Sequence, residues 1–242
     1  MKLKAVFFDL DDTLYSTTEF AKTARSNAIK AMQNAGLDLP FDMLLRELNE
    51  TISEFATNYE HHFDKLLLRL PKNSFKKINP AIIVAAGMIG YHDTKFTQLA
   101  PYKDVVPLLK VLQKSKIISG VISAGLEVKQ SEKLIRLKIH QYFNPDAIFI
   151  SEQIGISKPN PKLFVKACSD VGVNPSESMY VGNDLAHDIE PANKVGMVSV
   201  LAKRNVKVSE KAKIVPKFEV NDFEELYKIL RWDFGLDLDE LN

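Results

Sequence analysis

Short unbroken apolar runs recur along the chain, separated by longer stretches of helical periodicity. The first is Ala5-Val6-Phe7-Phe8, with Lys4 before it and Asp9 after it. Similar runs cover 117–122, 147–150, 179–181 and 197–201. Runs of this length, apolar on both sides, fit strands buried on both faces of a parallel sheet. Between them, 105–114, 127–137, 161–171 and 188–195 carry the spacing of amphipathic helices. Residues 217–220 predict one more short strand. Asp222 then caps a terminal helix with an acidic first turn. Strands alternating with helices predict an α/β fold with a parallel sheet.

The stretch from 16 to 99 breaks this alternation. It holds no convincing strand. Ser16-Thr17-Thr18-Glu19 is a capping-box pattern that opens a long helix ending near Gly36. Further helices are expected at 42–59, 61–70 and 80–92. The organisation is therefore a core of residues 1–15 and 100–242, interrupted after its first strand by an all-helical domain at 16–99. Pro101 and Pro107 flank the return to the core.

Composition narrows the function classes. The 242 residues are 45% hydrophobic and 26% charged, an ordinary globular balance. The formal net charge of +1 gives no reason to expect nucleic acid or an anionic membrane as partner. No run is long enough to span a bilayer. Met1-Lys2-Leu3-Lys4 leads straight into a strand without a signal-peptide pattern, so a cytoplasmic protein is expected. The single cysteine, Cys168, excludes an intramolecular disulfide and reads as a small buried hydrophobe. The basic segment Lys203-Arg204-Asn205-Val206-Lys207 reads as a solvated loop. Oligomeric state is left open.

Candidate chemistry gathers at strand ends. Asp9-Leu10-Asp11-Asp12-Thr13 follows the first strand, and in extended chain Asp9 and Asp11 point to one side. Crowded carboxylates repel unless a cation sits among them, and oxygen donors of this kind suit magnesium. Ser123, in Ile122-Ser123-Ala124-Gly125, ends the second core strand. Taken alone it reads as an N-cap for the next helix, a role compatible with binding an anion there. Lys158, in Ser157-Lys158-Pro159-Asn160-Pro161, taken alone reads as a solvated surface lysine. Val181-Gly182-Asn183-Asp184 ends a later strand, with Asp188 one turn further on. Taken alone, that acidic pair reads as helix capping. Yet all of these residues follow the carboxyl ends of predicted strands, the edge where open α/β sheets bind ligands. A hydroxyl, a lysine and carboxylates for one hard cation are the parts of a phosphoryl-transfer site.

On these four segments, in this order, the sequence resembles the haloacid dehalogenase-like hydrolase superfamily over nearly its whole length. D-x-D-x-T matches Asp9 to Thr13. The motif serine matches Ser123, the lysine before proline matches Lys158-Pro159, and the acidic motif matches Gly182-Asn183-Asp184 through Asp188. The resemblance implies a Rossmann-like core and a helical C1 cap that closes over the site. It implies a phosphatase in which Asp9 attacks phosphorus and Asp11 serves as acid and then base. Ser123 and Lys158 would hold the phosphoryl oxygens, with Ala124 contributing backbone. Asp9, the main-chain carbonyl of Asp11, and Asp184 would hold Mg2+, with Asn183 and Asp188 supporting. Asp11 favours a phosphatase over a dehalogenase.

Two departures stand out. Ala124 replaces the usual polar residue after the serine, and Asn183 stands where a strict alignment puts the metal aspartate. The expected partner is a small phosphorylated metabolite. Lys22, Arg25, His61, His62, Arg69 and His92 are cap candidates for contacting it, though His61-His62 also reads as a locally bonded pair. Tyr15 and Phe20 are candidates either for the site entrance or for core packing. Tyr59-Glu60-His61-His62-Phe63-Asp64 and Tyr91-His92-Asp93-Thr94-Lys95-Phe96 are similar to an archaeal subgroup, some of whose members are assigned as glyceraldehyde 3-phosphate phosphatases. A phosphomutase, a nucleotide phosphatase and a binding pseudoenzyme are the alternatives left open. A receiver-like signalling domain is disfavoured by the helical insertion.

Overall fold

The computed structural model describes residues 2–56, 59–75, 77–205 and 214–241. Strands β1 (Ala5–Phe8), β2 (Ile118–Ser123), β3 (Ile148–Ile150), β4 (Ser178–Gly182), β5 (Val198–Ala202) and β6 (Phe218–Val220) form one sheet in the order β3-β2-β1-β4-β5-β6. Every pairing is parallel. β1 lies centrally, with Ala5 opposite Ile118 on one side and Ser178 on the other. The loops after β2 and β4 therefore flank the loop after β1.

Alternation along β1 feeds two separate layers. Phe7 packs edge-on against Phe149, in a cluster with Leu163, Phe164 and Tyr180. Phe8 meets Phe143 and Phe223 instead. All four β1 side chains are buried, which explains why the run is apolar throughout. Cys168 belongs to the first cluster, is fully buried, and its sulfur lies 3.3 Å from the Ser178 hydroxyl. Burial raises its thiol pKa, in keeping with a packing role.

The helices are α1 (Thr17–Asn34), α2 (Phe41–Phe55), α3 (His62–Arg69), α4 (Pro80–Gln98), α5 (Val105–Lys114), α6 (Glu127–Arg136), α7 (Ser151–Ile154), α8 (Pro161–Asp170), α9 (Glu190–Val195) and α10 (Phe223–Lys228). Met1–Thr17 and Ala100–Asn242 make one unit, Thr18–Leu99 another. The second has its own core, in which Ile29, Met32, Leu44, Leu48, Leu66 and Ile83 pack together. Among the described residues no helix is long and apolar enough to cross a membrane.

Several boundaries differ from expectation. α2 ends at Phe55, not near 59, because Ala56 turns to φ 63. α4 runs six residues beyond His92 to Gln98. Thr94 faces inward there, its hydroxyl bonded to Gly90 O (2.7 Å) and accepting from Asn27 (2.9 Å). The stretch expected as one helix from 188 is a π-type turn, Leu185–Ile189, continuing into α9.

In the basic segment after β5, Lys203 and Asn205 are exposed as expected of a solvated loop, but Arg204 is not; Val206 and Lys207 lie outside the described residues. Arg204 is paired with Asp104 and lies between the rings of Tyr102 and Phe223, 4.3 and 4.5 Å from their centroids. A guanidinium suits such stacking, which a reading of charge alone misses.

Candidate active site

The loop after β1 carries the first acid. Asp9 N–H donates to Val181 O (2.8 Å), which fixes the backbone against β4. Its carboxylate is buried: Oδ1 accepts from Lys158 Nζ (2.5 Å) and Oδ2 from the Thr13 hydroxyl (3.2 Å). Burial pushes the Asp9 carboxyl up to about 7. Asp188 and Asp11 push the same way, against the opposing charge of Lys158. Asp12 adopts a left-handed φ of 60, tolerable for aspartate, and its carboxylate accepts from Thr17 N (2.9 Å) at the start of α1.

Lys158 is not a surface lysine. Its side chain is only 6% exposed. The loop itself is short: Asn160 N bonds back to Ser157 O, and the Asn160 side chain caps α8. The ammonium reaches inward to Asp9, to Asp188 (2.7 Å) and to the Tyr180 hydroxyl (3.2 Å). Burial alone would lower its pKa, but the two carboxylates raise it well above the ordinary lysine value. The lysine stays charged.

The acidic pair after β4 splits into two roles. Asp184 does behave as a cap. Its Oδ1 accepts from Ala186 N (2.9 Å) and His187 N (3.0 Å), and its Oδ2 lies 3.1 Å from His187 Nδ1. Burial would raise its pKa, but the bonds and charge of His187 lower it. Asp188 is no surface cap. It is 1% exposed, and beyond Lys158 it accepts from Asn183 N (3.1 Å) and Asp184 N (3.0 Å). Tyr180 OH lies 3.1 Å from both Asp188 Oδ1 and Ile122 O.

Gly182 leaves room for this carboxylate: an added Cβ would sit 2.4 Å from Asp188 Oδ2. Gly182→Ala is therefore expected to push Asp188 off Lys158 and destabilise by about 1–3 kcal/mol, read from the denaturant midpoint.

Ser123 ends β2, fully buried. It does not cap α6, whose N-cap position is Leu126. Its oxygen accepts from Gln130 Nε2 (2.8 Å), which leaves the hydroxyl proton for another acceptor. Gln130 Nε2 also reaches Ala124 O (2.7 Å), while Gly125 N–H is taken by the Ser151 hydroxyl (2.9 Å). Asp11 is held from several directions. Lys133 Nζ lies 2.7 and 2.8 Å from its two oxygens, Tyr15 OH 2.5 Å, and Gln130 Nε2 3.0 Å. Burial would raise the Asp11 carboxyl; Lys133 and these hydrogen bonds outweigh it and lower it. Tyr15 is thus a buried partner of Asp11.

The expected metal set has two carboxylates, Asp9 and Asp184, beside the Asp11 main-chain carbonyl. Among the described residues no group of three His, Cys, Asp or Glu could hold a metal ion. Asp11's carboxylate faces Lys133, and Asp184's faces its own turn. Asn183 fits better. It is 2% exposed, its Nδ2 donates to Asn205 O (3.1 Å), and its Oδ1 lies 3.4 Å from the Thr13 hydroxyl that also contacts Asp9. A carboxylate and an amide oxygen around one hydroxyl, with a main-chain carbonyl from the same loop, are the hard donors magnesium takes.

In the helical unit several substrate-contact candidates are engaged locally. Arg25 donates to Asn49 (3.0 Å), Arg69 pairs with Glu54, and the His62 ring lies 2.8 Å from Ala56 O. His61 lies 3.5 Å from Asp64, and Phe20 packs edge-on against Tyr91. Sequence reasoning missed Gln130, Lys133 and Tyr180. The one usable signal was Gln130, a polar residue on the same buried face of α6 as Leu134.

Comparison with known proteins gives the family. The haloacid dehalogenase-like hydrolase family matches residues 6–202. A glyceraldehyde 3-phosphate phosphatase of Methanopyrus kandleri is 45% identical over 95% of this chain and 97% of that protein. One from Methanothermobacter thermautotrophicus is 39% identical over 94% and 100%. The fold is similar to the crystal structure of a HAD phosphatase from Thermococcus onnurineus, with a TM-score of 0.63 and 22% identity over 94% of this chain and 98% of that one. This chain belongs to the haloacid dehalogenase-like hydrolases and is one of their phosphatases.

Proposed function

We propose that this phosphatase hydrolyses a small sugar-type phosphate monoester, glyceraldehyde 3-phosphate first among the candidates, through an aspartyl-phosphate on Asp9. The observation that carries the reading is a buried carboxylate, Asp9, held 2.5 Å from a buried lysine at the end of the central strand. Ser123, at the end of the neighbouring strand, has a hydroxyl proton to give.

Asp9 attacks phosphorus, and the bond from phosphorus to the leaving oxygen breaks. Asp11, which Lys133 and its hydrogen bonds hold as a carboxylate at rest, takes a proton from solvent before this step and gives it to that oxygen. In the second half Asp11 takes a proton from water, whose oxygen attacks phosphorus and frees Asp9. Lys158 and Ser123 hold the phosphoryl oxygens as charge shifts onto them. Asp9, the main-chain carbonyl of Asp11, and Asn183 would hold Mg2+, which supplies charge neutralisation between nucleophile and phosphate. Asp184 is left to its turn and Asp188 to holding Lys158. The segment 18–99 serves as the cap that selects the substrate. The whole chain's likeness to the archaeal phosphatases, over 95% and 94% of its length, supports the choice of glyceraldehyde 3-phosphate. The partner is a small phosphorylated metabolite, in the cytoplasm.

The test is a panel of small phosphate esters with magnesium and with chelator. Glyceraldehyde 3-phosphate is expected to give the highest kcat/KM, and chelator to abolish turnover. A preference for a nucleotide or a sugar bisphosphate would overturn the substrate assignment. Full turnover in chelator would overturn the metal assignment.

A further inference from the structure

We propose that Lys133 and Gln130, on α6, are positioning residues that hold Asp11 in one orientation and at a fixed spacing from Ser123, and that turnover depends on that hold. The inference rests on the reading of Asp11 as the proton-transfer group.

The loop carrying Asp11 does not orient the side chain unaided. Its neighbours are committed elsewhere, Asp9 to Lys158 and Asp12 to Thr17 and Asn205. Asp11 instead takes its partners from α6 and from Tyr15. Lys133 spans both carboxylate oxygens, Tyr15 takes Oδ1 and Gln130 takes Oδ2. Contacts on both oxygens stop the carboxylate from rotating.

Gln130 does a second job at the same time. Its Nε2 lies 3.0 Å from Asp11 Oδ2, 2.8 Å from Ser123 Oγ and 2.7 Å from Ala124 O. One amide nitrogen therefore sets the distance between the proton-transfer carboxylate and the hydroxyl offered to phosphate. Gly125, at φ +144, lets the amide in: a Cβ there would lie 3.0 Å from Gln130 Nε2.

Two facts argue against a purely structural role. Among the described residues Gln130 Oε1 is buried without a hydrogen-bond partner, a cost a side chain kept only for folding would avoid. The Lys133–Asp11 pair is partly open to solvent, 23% and 31% exposed, and such pairs add little stability. Strain and cost of this kind concentrate where function requires them.

The test uses the full chain with an aryl phosphate, whose good leaving group departs without a proton. Lys133→Met, Lys133→Arg and Gln130→Met are compared with wild type for kcat, KM, pre-steady-state phenol release and thermal melting. In Lys133→Met, kcat is expected to fall on the order of 10²-fold, the scale of an angstrom of misplacement. KM should fall with kcat and leave kcat/KM within about threefold of wild type, since phosphoenzyme formation is untouched and only its hydrolysis is slowed. A stoichiometric burst should appear, because aspartyl-phosphate hydrolysis needs a placed Asp11 and its formation here does not. Gln130→Met should show the same split more weakly, and Lys133→Arg should recover much of the rate.

A folded Lys133→Met with wild-type kcat would overturn the proposal. So would a fall in kcat that follows the melting temperature, without a burst and without rescue by arginine. Failure of the underlying reading looks different: wild type itself would form no phosphoenzyme, and Asp9→Asn would turn over normally.

Discussion

Lys158→Ala is expected to abolish turnover and to destabilise the protein by about 3–5 kcal/mol, the range for removing one partner of a buried charge pair. Lys158 is a cation that contacts both Asp9 and Asp188. Without it two buried carboxylates face each other, with Tyr180 between them. The loss depends on pH. Asp9 stands at about 7 in the folded protein even beside Lys158, against 3.8 for an ordinary aspartate. Its protonated form is thus favoured by folding, so the associated stability is full below about 4 and disappears as pH rises through 7. Taking Lys158 away raises Asp9 further. The destabilisation should therefore be larger at pH 8 than at pH 5.5, as urea titrations at the two pH values would show. Equal stability of variant and wild type at pH 8 would contradict the pairing.

Asp9→Asn separates chemistry from stability. Asparagine keeps the shape and can still accept from Lys158, but it is a far poorer nucleophile. Loss of kcat on the order of 10³-fold or more is expected, with no phosphoenzyme trapped by acid quench. Stability should move the other way from Lys158→Ala. The wild-type carboxylate bears a desolvation cost above pH 7 that the amide lacks, and Lys158 keeps Asp188 as partner. At pH 8 the variant should melt at or above the wild-type temperature; at pH 5.5, where Asp9 is already protonated, the difference should vanish. Normal turnover by the variant would remove Asp9 from the reaction.

The contrast between these residues shows what a sequence can carry. β1 was legible because burial on both faces forces an unbroken apolar run, and Phe7 and Phe8 do go to opposite layers. Asp9, Asp11, Ser123 and Lys158 were legible as strand-end groups once set side by side. Lys158 alone misled, because a proline-bounded loop says nothing about where a long side chain reaches. Asp184 and Asp188 misled by symmetry. Both follow a strand at helical spacing, yet only Asp184 caps its turn, and Gly182 is what admits Asp188 beneath it. Gln130, Lys133 and Asn205 act on loops far away in sequence, and no local pattern predicts such reach. Arg204 looked like one more surface charge, although two aromatic rings and Asp104 enclose it.

The loop leaving β1 and the chain returning to the core are joined by a main-chain hydrogen bond, Tyr102 N to Leu14 O (3.0 Å). All six strands, and every residue assigned a chemical role, lie outside the segment 18–99. On the proposed reading, with substrate choice assigned to 18–99, the reaction and the choice of molecule it acts on are written in separate parts of the gene. Natural variants with altered substrate range are expected to carry their decisive changes between 18 and 99.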